Sequence, residues 1–253
     1  MLRTRIIPAL LLRNESLVKT VQFSRFTYVG DPANTVRIFN ELEVDELLFL
    51  DISASSEKRS PNLKVLADIS NECFMPLGYG GGIRSLDQAK EVFDIGFEKV
   101  AVNTHALENR NLIGEIARHY GSQAVIASID VRKRLFGPYT VRGLGGKYDT
   151  GRDPVEWAME VESLGAGEIL LTAIEREGTW EGFDLELVKR VTDAVSIPVI
   201  AHGGAGNLEH INQVVKGAKA SAVALGSMVV FQRKGMGVLV NFPEREELER
   251  TLA

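Results

Sequence analysis

Eight short runs of apolar and β-branched residues punctuate the chain: RIIPALLL, ELLFLDI, MPLGYGGGI, KVAVNT, AVIASIDV, EILLTAI, IPVIAHGGAG and SAVALGS. They read as strands buried on both faces. Between them come helical patterns at Pro32 to Glu43, Ser85 to Ile95, Asn111 to Tyr120, Pro154 to Leu164, Leu185 to Ala194 and Leu208 to Lys216. Strand and helix in regular alternation leave two solutions, an open doubly wound sheet or a closed parallel barrel. Strand count and a length of 253 residues together favour one (βα)₈ TIM barrel domain spanning residues 1–253.

Composition narrows the partners. A hydrophobic share of 45% supplies one large core, and a net charge of −5 excludes nucleic acid as the main partner. The lone cysteine, Cys73, forbids an internal disulfide and fits a reducing cytosol, where a cytoplasmic chain is expected. It reads as a small apolar filler. The run after the basic N-terminal residues is too short for a membrane span and reads as a first strand. No metal or cofactor is expected.

Two connections exceed plain βα loops: Arg13 to Asp31 after the first strand, and Arg132 to Thr150 after the fifth. The second contains FGPYTVRGLGGKYD, whose alternation, Gly and Pro predict a small hairpin. Both follow strand C-termini, the face on which barrels build their sites, so both are expected to act as lids.

The chain is also duplicated. IIPALLL matches VIASIDV with Leu11 against Asp130, and FLDISAS matches LTAIERE with Asp51 against Thr172. YGGGIRS matches HGGAGNL with Gly82 against Gly204, and VNTHAL matches ALGSMV with Asn103 against Gly226. The spacings drift only from 119 to 123, which predicts two (βα)₄ halves, near residues 1–120 and 121–253. Each half carries a glycine-rich turn after its third strand and a small polar pair, Asn103-Thr104 or Gly226-Ser227, after its fourth. Glycine lets a backbone approach an anion closely. Two phosphate sites on opposite sides of the mouth follow, and with them a substrate phosphorylated at both ends.

These motifs, with GDP, GAGEILLT and SIPVIAHGGAGNLEH, resemble the cyclase subunit of imidazole glycerol phosphate synthase from RIIP to about Val230. The resemblance implies a barrel that docks a glutaminase on its N-terminal face and passes ammonia through to a bisphosphorylated aminoimidazole ribonucleotide. It places the family's loop lysine on Lys19 and its second catalytic aspartate on Asp130, with Asp51 and Thr172 lining the site. Phosphate-binding positions fall on Gly82, Asn103, Thr104, Gly178, Gly204, Gly226 and Ser227, and the charged ring at the ammonia entrance on Arg5, Glu46, Lys99 and Glu168. Period-two counting turns Arg5, Lys99 and Glu168 inward, whereas Glu46 and Asp51 have opposite parity, so only one of those two faces in.

One departure matters most. The family uses two aspartates, one per half, as general acid and base; here Leu11 stands in place of the first. His202 replaces a small hydroxyl residue and becomes a further site candidate, and Glu177 replaces an aspartate; His105, His119 and His210 read as structural or surface groups. Loss of a general acid or base costs about 10²–10⁴ in rate. The favoured reading is a paralogue that still receives ammonia from a glutaminase but serves another acceptor. The resemblance of KTVQF, LLL and PERE to amidotransferase systems of surface polysaccharides points to amidino-sugar formation, with a third protein as a possible site of the last step. The alternatives are a histidine-pathway cyclase with a substitute for the missing acid, and a sugar-phosphate-binding barrel with no glutaminase.

Overall fold

The structure, a computed structural model, describes residues 4–134 and 137–252. In the first half, β1 (Arg5–Arg13), β2 (Ser16–Val21) and β3 (Ser24–Gly30) precede α1 (Pro32–Glu41), β4 (Leu47–Asp51), α2 (Leu63–Glu72), β5 (Leu77–Gly80), α3 (Leu86–Asp94), β6 (Lys99–Val102), α4 (Thr104–Glu108) and α5 (Asn111–Tyr120). The second half runs through β7 (Val125–Lys133), β8 (Tyr139–Gly143), β9 (Tyr148–Asp149), α6 (Pro154–Ser163), β10 (Glu168–Ala173), α7 (Leu185–Thr192), β11 (Val199–His202), α8 (Leu208–Asn212), β12 (Ala222–Leu225), α9 (Ser227–Val230) and α10 (Arg245–Leu252). The same start signal opens α1 and α6: an aspartate, Asp31 or Asp153, accepts from amides of the first turn, and a proline fills the first helical position. Such a cap contributes about 1 kcal/mol. The pattern at Leu208 to Lys216 is helical throughout, but its end widens into a π turn over 213–217. Among the described residues no helix is long and apolar enough to cross a membrane.

Strands β1, β4, β5, β6, β7, β10, β11 and β12 pair in parallel in that order, and β12 returns to β1, so the barrel closes. Two apolar layers hold it. The outer layer joins strand backs to helices around Phe39, Phe49, Tyr79, Ile113 and Trp157. The inner one fills the lumen with Ile7, Ala9, Leu48, Ala101, Ile126, Leu170, Ile200, Ala222 and Ala224. The middle of the barrel is therefore apolar, with Ile and Leu side chains interleaved with alanines.

Inward register decides which repeat partners are equivalent. Leu11 and Asp130 end inward-facing rows that begin Ile7-Ala9 and Ile126-Ser128. On β4 the inward residues are Leu48 and Leu50, in line with Glu46 just before the strand; on β10 they are Glu168, Leu170 and Thr172. The structural counterpart of Thr172 is thus Leu50, and the pairing of Asp51 with Thr172 is one residue out of step. A one-residue slip on a strand exchanges the faces.

The two long connections differ from simple loops. Between Arg13 and Asp31, β2 and β3 form a hairpin that extends β1 antiparallel from the Leu11–Val18 pair. In the other, β7 continues into a ladder with β8, which pairs β9. Phe136, at the start of the expected hairpin, lies outside the described residues.

Candidate active site

The C-terminal mouth holds a cavity of about 150 Å³. Leu11, Asn103, Asp130, Thr172, Glu177 and His202 line it. Strand order puts β1 and β7 four steps apart both ways round, so Leu11 and Asp130 face each other across the mouth. Asn103 Nδ2 donates to Asp130 Oδ2 at 2.9 Å. Burial pushes the Asp130 carboxyl up to about 7, against the hydrogen bonds from Thr172 and Asn103 and with help from the nearby Glu177 charge. A carboxyl half-ionised near neutrality can give or take a proton.

Thr172 Oγ1 sits 3.1 Å from His202 Nδ1. Burial, aided by the Lys19 charge, lowers the His202 ring to about 3, so it is neutral at physiological pH. Protonation is then forced only on the unfolded chain as pH falls from about 6.5 towards 3. The structure is therefore expected to lose about 2 kcal/mol between pH 7 and pH 5 through this one ring. Replacing His202 by Asn should flatten that part of the stability profile, measured by urea unfolding at the two pH values. An unchanged slope would show that the ring titrates normally.

Lys19 lies on β2 and lines a smaller recess that shares Glu177 and His202 with the main cavity. Its side chain is buried, and Nζ has no hydrogen-bond partner. The ammonium lies against Gly226, where any side-chain carbon would overlap Nζ. It lines a small recess with Glu177, Gly178, Gly204, Gly226 and Ser227. Burial lowers the Lys19 pKa, opposed by the Glu177 charge, and burial raises that of Glu177, opposed by Lys19.

Glu177 does something the sequence did not reveal. Its Oε2 accepts from the Phe23 amide at 3.1 Å, and its carbonyl accepts from the Gln22 amide at 2.9 Å. The tip of the β2–β3 hairpin is thereby pinned over the second half of the mouth. Gly178, at φ 74°, supports the same contact, because a side-chain carbon there would strike the Thr20 carbonyl. Glu177 Oε1 is buried without a partner.

The remaining expected anion positions divide. Gly82 packs its α-carbon against the Arg59 carbonyl, and Gly204, at φ 109°, against the Gly182 carbonyl. Close backbone packing accounts for both glycines. Thr104 Oγ1 accepts from the Leu144 amide at 3.0 Å and so holds down the second long connection. Asn103 Oδ1 is buried and unpartnered. Asp51 is a loop organiser: Oδ1 accepts from the Ser53 and Ala54 amides, both at 3.0 Å, while Arg59 Nη2 lies 3.3 Å from Oδ2. It borders the cavity, although its strand position points outward.

At the opposite end of the lumen, the four expected charges meet. Arg5 bridges Glu46 at 2.7 Å and Glu168 at 2.6 Å, and Lys99 bridges the same two carboxylates at 2.9 and 3.2 Å. The signs alternate round a closed ring at the N-terminal face. Glu46 is the inward member of the Glu46/Asp51 pair.

The model of the histidine biosynthesis protein family matches residues 5–234. A Pseudomonas aeruginosa protein, named provisionally as imidazole glycerol phosphate synthase subunit hisF2, is 47% identical over 98% of this chain and 99% of its own length. A Leptospira borgpetersenii protein with the provisional name of subunit HisF is 44% identical over 98% of each chain. The imidazole glycerol phosphate synthase subunit HisF of Chlorobaculum parvum is 45% identical over 92% of each chain. With a closed barrel, a carboxyl-bearing mouth and near full-length similarity, the chain belongs to the histidine biosynthesis protein family, on its HisF-like branch.

Proposed function

We propose that this chain is the ammonia-receiving barrel of a glutamine amidotransferase. A glutaminase docks at the charged ring, ammonia enters there, and it leaves at the mouth beside Asp130 to meet a phosphorylated acceptor. The acceptor we favour is a sugar destined for amidination in surface-polysaccharide synthesis, and a third protein can complete the transfer. One observation carries this reading. Leu11 is 4% exposed and occupies the inward position facing Asp130, while all four ring charges are in place. Hydrocarbon can neither give nor take a proton, so the paired acid–base system is broken where the conduit is kept. The apolar lumen also suits neutral ammonia, since a cation would lose its hydration there without compensation. Expression in a histidine auxotroph lacking the cyclase is the test: no growth is expected, and robust growth would refute the reading. Absence of a complex with a candidate glutaminase at micromolar concentration would favour a barrel that binds sugar phosphates alone.

A second reading, a histidine-pathway cyclase, draws support from Glu177. Its buried, unpartnered Oε1 borders the same cavity as Asp130 and offers another carboxyl. The growth test separates the two.

A further inference from the structure

Three polar side chains stand side by side on the inner wall of the mouth. Thr172 on β10 is in register with Asp130 on β7 and with His202 on β11, and all three line the cavity. Neighbouring strands lie about 4.8 Å apart, so side chains at one level are within hydrogen-bonding reach of each other. Thr172 bonds both neighbours: its Oγ1 lies 3.1 Å from His202 Nδ1, and it also bonds the Asp130 carboxyl. We propose that Asp130, Thr172 and His202 work as one proton-responsive chain, in which His202 is a positioning residue that acts on Asp130 through the Thr172 hydroxyl. The proposal rests on reading Asp130 as the group that takes the proton released when ammonia adds to its acceptor, and it adds what controls that group.

Hydrogen counting carries the argument. A threonine hydroxyl has one hydrogen to give, and here two neighbours compete for it. An ionised Asp130 can only accept. Thr172 then donates to it and accepts from His202, whose ring hydrogen must sit on Nδ1. A protonated Asp130 instead donates to Thr172, Thr172 donates to His202 Nδ1, and the ring hydrogen sits on Nε2. The whole chain therefore points towards Asp130 or away from it. The count balances: one proton joins Asp130, Thr172 keeps one hydrogen, and the ring keeps one, which changes nitrogen by exchange with solvent.

The surroundings bias this choice. Nε2 and the Lys19 ammonium are both neighbours of Gly226. A positive charge there disfavours a hydrogen on Nε2, so it favours the arrangement in which Asp130 is ionised. Glu177 lines the same recess and offsets part of that charge. Asp51 and His105 also line the cavity, and Arg142, opposite Asp130 on β8, pairs with Asp149 at 2.9 Å. Burial keeps the His202 ring neutral, so a change of tautomer is open to it where a change of charge is not. Leu11, across the mouth, offers no proton. Control of Asp130 comes from its own wall.

Nuclear magnetic resonance on intact protein, carrying isotope-labelled histidine and aspartate, tests this from about pH 5 to pH 9. The Asp130 carboxyl should titrate at about 7, and the two His202 nitrogens should exchange protonated and bare signals at the same midpoint, with no imidazolium. Thr172→Val keeps the shape and removes the hydroxyl. In that variant Asp130 should bind its proton about tenfold more tightly, and His202 should hold one tautomer throughout. Thr172→Ser should restore both behaviours. A merely structural His202 would keep one tautomer in the parent, and that result overturns the proposal. So does a tautomer change that survives Thr172→Val, or one whose midpoint differs from that of Asp130. If the valine variant fails to fold, the parent titration decides alone. No substrate is needed, so the outcome is separate from the ammonia reading. Coupled titration without ammonia-dependent turnover supports the chain and counts against Asp130 as the base. Turnover with an unchanging tautomer overturns the chain and leaves Asp130 in place.

Discussion

Leu11→Asp is expected to raise ammonia-dependent conversion of the bisphosphorylated aminoimidazole ribonucleotide by about 10²-fold or more. The position already has the right geometry. Its side chain points into the mouth from β1, diametrically opposite Asp130 on β7. Leu50 beside it is apolar, so a carboxyl introduced there would have a raised pKa and act as the acid. Asp130, held near neutrality, would remain the base. The same substitution buries a polar group, at a cost of about 1–3 kcal/mol, so the variant should melt earlier while it turns over faster. Leu11→Asn has nearly the same shape and no titratable proton. Aspartate fast and asparagine slow is the expected result, read by steady-state kinetics with ammonium as nitrogen source. Equal rates for parent, aspartate and asparagine would show that the missing carboxyl is not what limits this chain.

The second large effect concerns the ring. Arg5→Ala is expected to destabilise the protein by about 2–3 kcal/mol, less than for a fully buried pair because the guanidinium side chain is 28% exposed. Glu46 and Glu168 would then be left with Lys99 alone to neutralise two carboxylates. Adding Glu168→Gln to Arg5→Ala should recover much of the loss, since the surviving Lys99–Glu46 pair is balanced. Urea unfolding of the two variants reads the difference. A loss under about 0.5 kcal/mol for Arg5→Ala would mean that water screens the ring and that its charges are not coupled.

The barrel was legible because its strands are buried on both faces and its helices carry period and caps, as at Asp31-Pro32 and Asp153-Pro154. The charged ring was legible in part by parity, and Glu46 turned out to be the inward member of its ambiguous pair because the barrel row runs through Leu48 and Leu50. The β2–β3 hairpin escaped notice for a physical reason. Its tip, Gln22-Phe23, takes left-handed backbone angles without glycine, asparagine or proline, so no turn signature marks it. The hydrogen bonds that hold that tip come from Glu177, more than 150 residues away, and local sequence cannot express them. Helix α2 follows its strand as the alternation expects, and Val65, Leu66 and Ile69 bury one face of it. The glycine turns were conspicuous, yet a glycine motif reports close approach without naming what approaches. At Gly82 and Gly204 the structure shows neighbouring backbone there.

We propose that this barrel keeps an ammonia conduit and has lost half of its acid–base pair. Steady-state turnover of the bisphosphorylated aminoimidazole ribonucleotide by purified protein in saturating ammonium salts tests it most directly, with the Chlorobaculum parvum HisF subunit as reference. A rate lower by about 10²-fold or more is predicted. A rate equal to that of the reference would contradict the account.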